Sequence, residues 1–142
     1  MMRSIPKNTY IAVVDDDESI RRSFSRLLRA AHFQPVAYAS GEEFLADTKR
    51  PIFSCLVLDI QLEGMSGLEL KQRLSRSNDG TPVVFITAHD DPAVCEQAEE
   101  SGCAGFFRKT DTGADVLSAI RRATGLDGPD QGGMSSEGGV SQ

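Results

Sequence analysis

Apolar runs bounded by turn-forming residues alternate with amphipathic stretches five times along the chain, a pattern that predicts parallel strands separated by covering helices. The first run, Tyr10 to Val14, is apolar at nearly every position. A strand without hydrophobic alternation has no solvent face, so this one is expected to lie centrally, buried on both sides. The acidic tripeptide Asp15, Asp16, Asp17 ends it. Cys55 to Leu58 stops at Asp59, and Val83 to Ile86 stops at Thr87. Pro35 to Ala39 and Gly105 to Arg108, the latter ending at Lys109, complete the five.

Between the runs the period changes to that of a helix. From Glu18 to Ala31, the residues Ile20, Phe24, Leu27, Leu28 and Ala31 share one face, and Arg21, Arg22, Arg26 and Arg29 occupy the other, which reads as a solvated surface. Ser40 and Glu43 have capping-box spacing for a short helix ending near Asp47, and Ser66 and Glu69 repeat it ahead of Leu68, Leu70 and Leu74. Asp91 and Pro92 read as N-cap and first helical residue of a helix closed by Gly102. Val116, Leu117, Ile120 and Ala123 mark one face of a last helix, roughly Gly113 to Thr124.

A length of 142 residues allows one domain of ordinary size. It is expected over residues 10–125, after an N-terminal extension of residues 1–9. From Leu126 to Gln142 there are five Gly, three Ser and three acidic residues without Lys, Arg or an aromatic, the composition of a flexible tail or linker. The formal charge of −6 argues against intrinsic nucleic-acid binding. No apolar run approaches the ~20 residues that span a bilayer, and Met1 to Thr9 lacks a secretory apolar segment, so a cytoplasmic protein without membrane contact is expected. Cys55, Cys95 and Cys103 have no metal-site or disulfide spacing and are expected to be buried, reduced thiols.

The chemistry sits where the strands end. In an open parallel sheet these ends share one edge, and ligands bind at the crevice where strand order reverses, which would bring Asp15, Asp16 and Asp59 together. Clustered carboxylates repel one another and raise each other's pKa, an arrangement that a divalent cation makes favourable. Mg2+, which takes oxygen ligands and is usually held by one or two carboxylates plus phosphate oxygens, is the expected cofactor. Lys109 can pair with added phosphate oxygens and the Thr87 hydroxyl can donate to one, so the pocket can stabilise a phosphoryl group on Asp59. Asp17 is assigned mainly to capping the first helix.

These residues resemble the receiver domain of two-component response regulators. The resemblance covers about Tyr10 to Thr124 and rests on Val-Val-Asp-Asp-Asp at 13–17, Val-Leu-Asp-Ile at 57–60, Gly-Met-Ser-Gly at 64–67, Phe-Ile-Thr-Ala at 85–88 and Phe-Phe-Arg-Lys at 106–109. It implies an α/β, CheY-like (flavodoxin-like) doubly wound fold: a five-stranded parallel sheet in order 2-1-3-4-5 with five helices. It implies Asp59 as phosphoacceptor, with Lys109 and Thr87 assisting. Asp16, Asp59 and the backbone carbonyl of Gln61 would ligate Mg2+, with Asp15 helping through water. Thr87 and Phe106 would form a switch that changes the surface of the fourth helix, fifth strand and fifth helix, by selection of a pre-existing conformation. Gln61 and His89 would modulate water access to the phosphoryl group.

The expected phosphodonor is a sensor histidine kinase or a histidine phosphotransfer protein. The changed surface would meet a downstream protein target or a second copy in a phosphorylation-dependent homodimer. The segments Gly-Met-Ser-Gly-Leu-Glu-Leu and Ile-Thr-Ala-His-Asp-Asp look most like receivers of the nitrogen-fixation (FixJ) class, often joined to a LuxR-type helix-turn-helix. No such module is legible in residues 126–142, which is read as either a single-domain regulator or an excised receiver. Two departures from the family stand out. Thr110 follows Lys109 where the family usually has a proline after a cis peptide, so a differently shaped loop is expected around Lys109. Leu62-Glu63 replaces Met-Pro, which is expected to loosen the Mg2+ side and add negative charge.

Two other readings compete. Asp15, Asp17 and Ser19 also fit the D-x-D-x-[TS] opening of haloacid-dehalogenase-type phosphatases, with Asp15 as nucleophile, but the order of lysine and acidic pair is wrong and Asp59 would have no role. A phosphate-independent protein-binding module is the other, disfavoured by the presence of Asp15, Asp16, Asp59, Thr87 and Lys109 together. The expected protein is a switch and not a turnover enzyme.

Overall fold

A computed structural model describes residues 9–88, 91–111 and 113–125. The elements run β1 (Tyr10–Val14), α1 (Glu18–Ala30), β2 (Gln34–Tyr38), α2 (Gly41–Ala46), β3 (Phe53–Asp59), α3 (Gly67–Arg76), β4 (Val83–Thr87), α4 (Pro92–Glu100), β5 (Gly105–Arg108) and α5 (Gly113–Thr124). The strands form one parallel sheet in order β2-β1-β3-β4-β5. Fold class and strand order are those expected. β3 is longer than its apolar run because Phe53 and Asp59 pair at its two ends. Residues 1–8 and the acidic tail from 126 onward lie outside the described residues, as does His89.

Side chains that alternate along the strands divide the core into two layers. On one face Ala12, Val14, Leu56, Leu58 and Phe85 pack with Phe44 of α2, Leu70 and Leu74 of α3, and Ala98 of α4. On the other, Ile11, Val13, Cys55, Val57, Val84 and Ile86 pack with Leu28 of α1 and Val116, Ala119 and Ile120 of α5. Burial of both faces by helices is the reason the central strands carry no polar alternation.

Helix starts follow the capping residues. Asp17 accepts from Ser19 N at 2.8 Å, Ser40 Oγ from Glu43 N at 3.0 Å, Ser66 Oγ from Glu69 N at 3.1 Å, and Asp91 from Ala93 N at 3.0 Å. Neither capping box closes on its own cap. Glu43 takes the N–H of Ala39, one residue earlier, and Glu69 reaches Arg73 one turn on at 3.5 Å.

The crevice arises from connectivity. β1 delivers the chain to α1 on one face and β3 delivers it to α3 on the other, so the two helices diverge and leave a crevice at the carboxyl ends of these strands. Gly67 is required there: a Cβ on it would lie 2.3 Å from the carbonyl oxygen of Asp59. Its own N–H donates to the Ile60 carbonyl at 3.0 Å, closing the β3–α3 loop.

The cysteines correct one expectation. All three are free, but only Cys55 is buried, whereas Cys95 on α4 and Cys103 in the turn before β5 are half-exposed, because they lie on the outer helix and at the edge of the sheet. Burial pushes the Cys55 thiol up to about 12.

Two outcomes are expected. Iodoacetamide at pH 8 to 9 labels Cys95 in the native protein, labels Cys103 more slowly because partial burial raises its thiol, and reaches Cys55 only on unfolding, read by peptide mass spectrometry. Gly67→Ala lowers stability by about 1–3 kcal/mol in urea titrations, the usual cost of overpacking.

Candidate functional site: an acidic pocket closed by a lysine

Asp15 follows β1 and Asp59 ends β3, on adjacent strands, so their side chains share the crevice. Both are buried, and Asp16 is exposed at the rim. One carboxylate oxygen from each of Asp15, Asp16 and Asp59 lies within 4.8 Å of the others. Lys109 enters from the end of β5, with its backbone N–H on the Thr87 carbonyl at 2.8 Å, which carries the β4–β5 ladder one residue further. Its ammonium stands 3.0 Å from Asp59 Oδ2, 3.0 Å from Asp15 Oδ2 and 3.3 Å from Asp15 Oδ1.

The carboxylates are oriented by main-chain donors. Asp15 Oδ1 accepts from Asp17 N at 2.9 Å, and Asp59 Oδ1 accepts from Gln61 N at 3.0 Å. Asp15 Oδ2 is fully buried and makes no hydrogen bond of proper geometry, even with the ammonium beside it. Burial holds the Asp15 carboxyl above its ordinary 3.8, with the Asp59 charge adding to the rise, against the lowering effect of Asp17 N and Lys109. Burial alone would lower Lys109, but its hydrogen bonds to Asp59 and Asp15 outweigh it and hold the ammonium above its ordinary 10.5. An orphaned buried oxygen within a set of hard carboxylate donors fits a divalent cation such as Mg2+.

Thr87 is fully buried, and its hydroxyl donates to Gln61 Oε1 at 3.3 Å. Phe106, on β5, is half-buried against the core layer under α2, α3 and α4. Of the predicted site residues, Asp15, Asp16, Asp59, Thr87, Lys109 and Gln61 thus converge, Phe106 lies one strand away, and His89 is outside the described residues.

The two departures take a definite form. All described peptide bonds are trans, Lys109–Thr110 included. The turn after β5 is closed by Asp111, which accepts from Arg108 N at 2.8 Å and donates its own N–H to the Arg108 carbonyl at 3.0 Å. In the other loop Leu62 is buried in the core and Glu63 is exposed at the surface.

Two further residues support the pocket and its loop without a local signal in the sequence. Arg21, expected on a solvated face, donates from Nη1 to the Asp15 carbonyl at 2.8 Å, since one turn of helix beyond the cap brings it back over the pocket's main chain. Glu42 accepts from Met65 N at 3.0 Å, a contact across 23 positions with no local signal.

A parallel sheet in this order, with acidic residues at the carboxyl ends of its first and third strands and a lysine after its fifth, is the arrangement of a receiver domain. The model of the response regulator receiver domain matches residues 11–121, and the chain belongs to that family. It is 38% identical over 117 residues to Nodulation protein W of Bradyrhizobium diazoefficiens, covering 82% of this chain and 52% of that protein. It is 30% identical over 122 residues to the transcriptional regulatory protein FixJ of Azorhizobium caulinodans, covering 85% and 57%. Among solved structures, the FixJ-N structure superposes with TM-score 0.76 at 29% identity, covering 84% of this chain and 96% of that one. The response regulator StyR superposes with TM-score 0.75 at 37% identity, covering 87% and 63%. The chain therefore spans about half the length of the curated relatives it matches.

Receiver domains are signalling switches that generally bind Mg2+ at such an acidic cluster. The phosphatase reading falls with this membership. Its second aspartate, Asp17, is occupied in capping α1 through Ser19 N.

One consequence concerns pH. Because the folded protein raises Asp15, its ionisation costs stability as pH climbs from 3.8 through the raised value. Asp15→Asn is therefore expected to raise the urea midpoint in metal-free buffer at pH 7, with the gain shrinking as pH falls toward 3.8, checked by titrations at both ends.

Proposed function

We propose that the chain works as a phosphorylation-dependent switch in which Asp59 accepts a phosphoryl group from a histidine kinase or a histidine phosphotransfer protein. The observation that carries this reading is the Lys109 ammonium 3.0 Å from Asp59 Oδ2, at the open end of a crevice that also holds Asp15 and Asp16. An Asp59 carboxylate oxygen forms the new bond to phosphorus as the bond from phosphorus to the donor's histidine nitrogen breaks, and the histidine leaves with that electron pair. Gln61 N keeps one Asp59 oxygen oriented, and Lys109 is within reach of both the nucleophile and the incoming phosphoryl oxygens.

Asp15, Asp16, Asp59 and the carbonyl of Gln61 would hold Mg2+, which supplies positive charge against the carboxylates and phosphoryl oxygens when bound. After transfer, the Thr87 hydroxyl exchanges its acceptor on Gln61 for a phosphoryl oxygen, and Phe106 fills the space behind it. Movement of these two on β4 and β5 alters the surface made by α4, β5 and α5, where a downstream protein or a second copy would dock. This is switching without substrate turnover, apart from self-phosphorylation by small donors and hydrolysis of the phosphoryl group. No helix among the described residues is long and apolar enough to cross a membrane, in keeping with action in the cytoplasm.

Incubation with Mg2+ and acetyl phosphate is expected to add one phosphoryl group to the wild type and none to Asp59→Asn, measured by intact mass. No gain in either favours a phosphate-independent binding module, and gain in both moves the acceptor to Asp15.

A further inference from the structure

We propose that Glu42, in the first turn of α2, is a positioning residue for the acidic pocket: its carboxylate tethers the β3–α3 loop that presents Gln61 to Asp59. The metal half of this proposal rests on the Mg2+ reading above. The loop has a demanding task. From Ile60 to Ser66 it must hold the Gln61 N–H on Asp59 Oδ1, and on the Mg2+ reading it also carries the Gln61 carbonyl that would ligate the ion. Its two ends are joined by the bond from Gly67 N to the Ile60 carbonyl, which closes the loop without fixing its far side.

Glu42 supplies that fixation from another element. Its Oε2 accepts the Met65 N–H at 3.0 Å, a charge-assisted bond between residues 23 positions apart. The approach depends on two missing side chains. Gly64 sits at φ +74, and a Cβ on it would lie 2.7 Å from Glu42 Oε2; a Cβ on Gly41 would press on Met65 Sδ at 3.2 Å. The first turn of α2 and the far side of the loop are therefore in close contact. Leu62 and Met65, both buried, seat the same loop in the core, Met65 being the tethered residue itself. The adjacent Glu43 turns the other way, to Ala39 N, so the two glutamates of the Ser-Gly-Glu-Glu segment do separate work.

Removing an outer group that orients a metal ligand weakens metal binding, typically by a factor of ten or more. The test compares wild type, Glu42→Ala and Glu42→Gln, the last retaining an acceptor oxygen. Hydrogen exchange of metal-free protein reads the loop, calorimetry reads Mg2+ affinity, and urea unfolding reads overall stability. Glu42→Ala is expected to speed exchange in residues 60–66 alone and to weaken Mg2+ about tenfold, with Glu42→Gln recovering most of both. Unchanged loop exchange in Glu42→Ala, faster exchange with unchanged Mg2+ affinity, equal defects in Ala and Gln, or faster exchange spread through the whole protein with a lower urea midpoint would each overturn it. If the wild type itself binds no Mg2+, the pocket reading and the metal half of the proposal both fall, while loop exchange still decides whether the tether exists.

Discussion

Two buried carboxylates on neighbouring strands repel each other, and the ammonium of Lys109, within 3.0 Å of both, is the cation that stands against that repulsion beside the main-chain donors Asp17 N and Gln61 N. The conflict is built in by topology. β1 and β3 are adjacent, an aspartate stands at the carboxyl end of each, and helices cover the sheet on both faces, so the two side chains are buried side by side at the foot of the crevice. Asp15 is the more compromised, with its carboxyl raised and one oxygen without a hydrogen bond. Such a site is costly to keep for stability alone. It makes sense as a place where added positive charge, or a phosphoryl group paired with it, changes the balance and hence the conformation.

The surrounding structure holds that balance in place through main-chain groups. Asp17 N and Gln61 N orient the carboxylates, the Thr87 carbonyl places Lys109, and Arg21 holds the Asp15 carbonyl. Glycine makes the tightest of these approaches feasible: Gly67 lets α3 begin against the end of β3, and Gly64 lets Glu42 reach the loop. In place of a proline after Lys109, the turn is shaped by Asp111 bonding to Arg108 in both directions.

Much of this was legible along the chain. Continuous apolar runs marked strands buried on both faces, Ser and Asp marked helix starts, and polar residues directly after strands marked the pocket. Local rules were less successful at the second member of each capping pair, because Glu43 and Glu69 each had a competing partner nearby in Ala39 N and Arg73. The place of Arg21 on the polar face of α1 predicts solvation, since helical periodicity says which residues face the core but not what lies beyond the helix end. The half-exposure of Cys95 and Cys103 was hidden for a related reason: a small apolar side chain on an outer helix or a sheet edge has the same sequence signature as one in the core.

By itself the sequence determined the elements, the parallel sheet and the identity of the residues at its carboxyl edge, because periodicity, capping and strand punctuation act over a few residues. Tertiary structure alone decided the distances that turn those residues into a site. It placed Lys109 between two aspartates far from it in the chain, set the Thr87 hydroxyl on Gln61, and brought Glu42 of α2 to Met65. Those contacts depend on how the layers pack, and no local preference of the residues concerned encodes where a distant segment will lie.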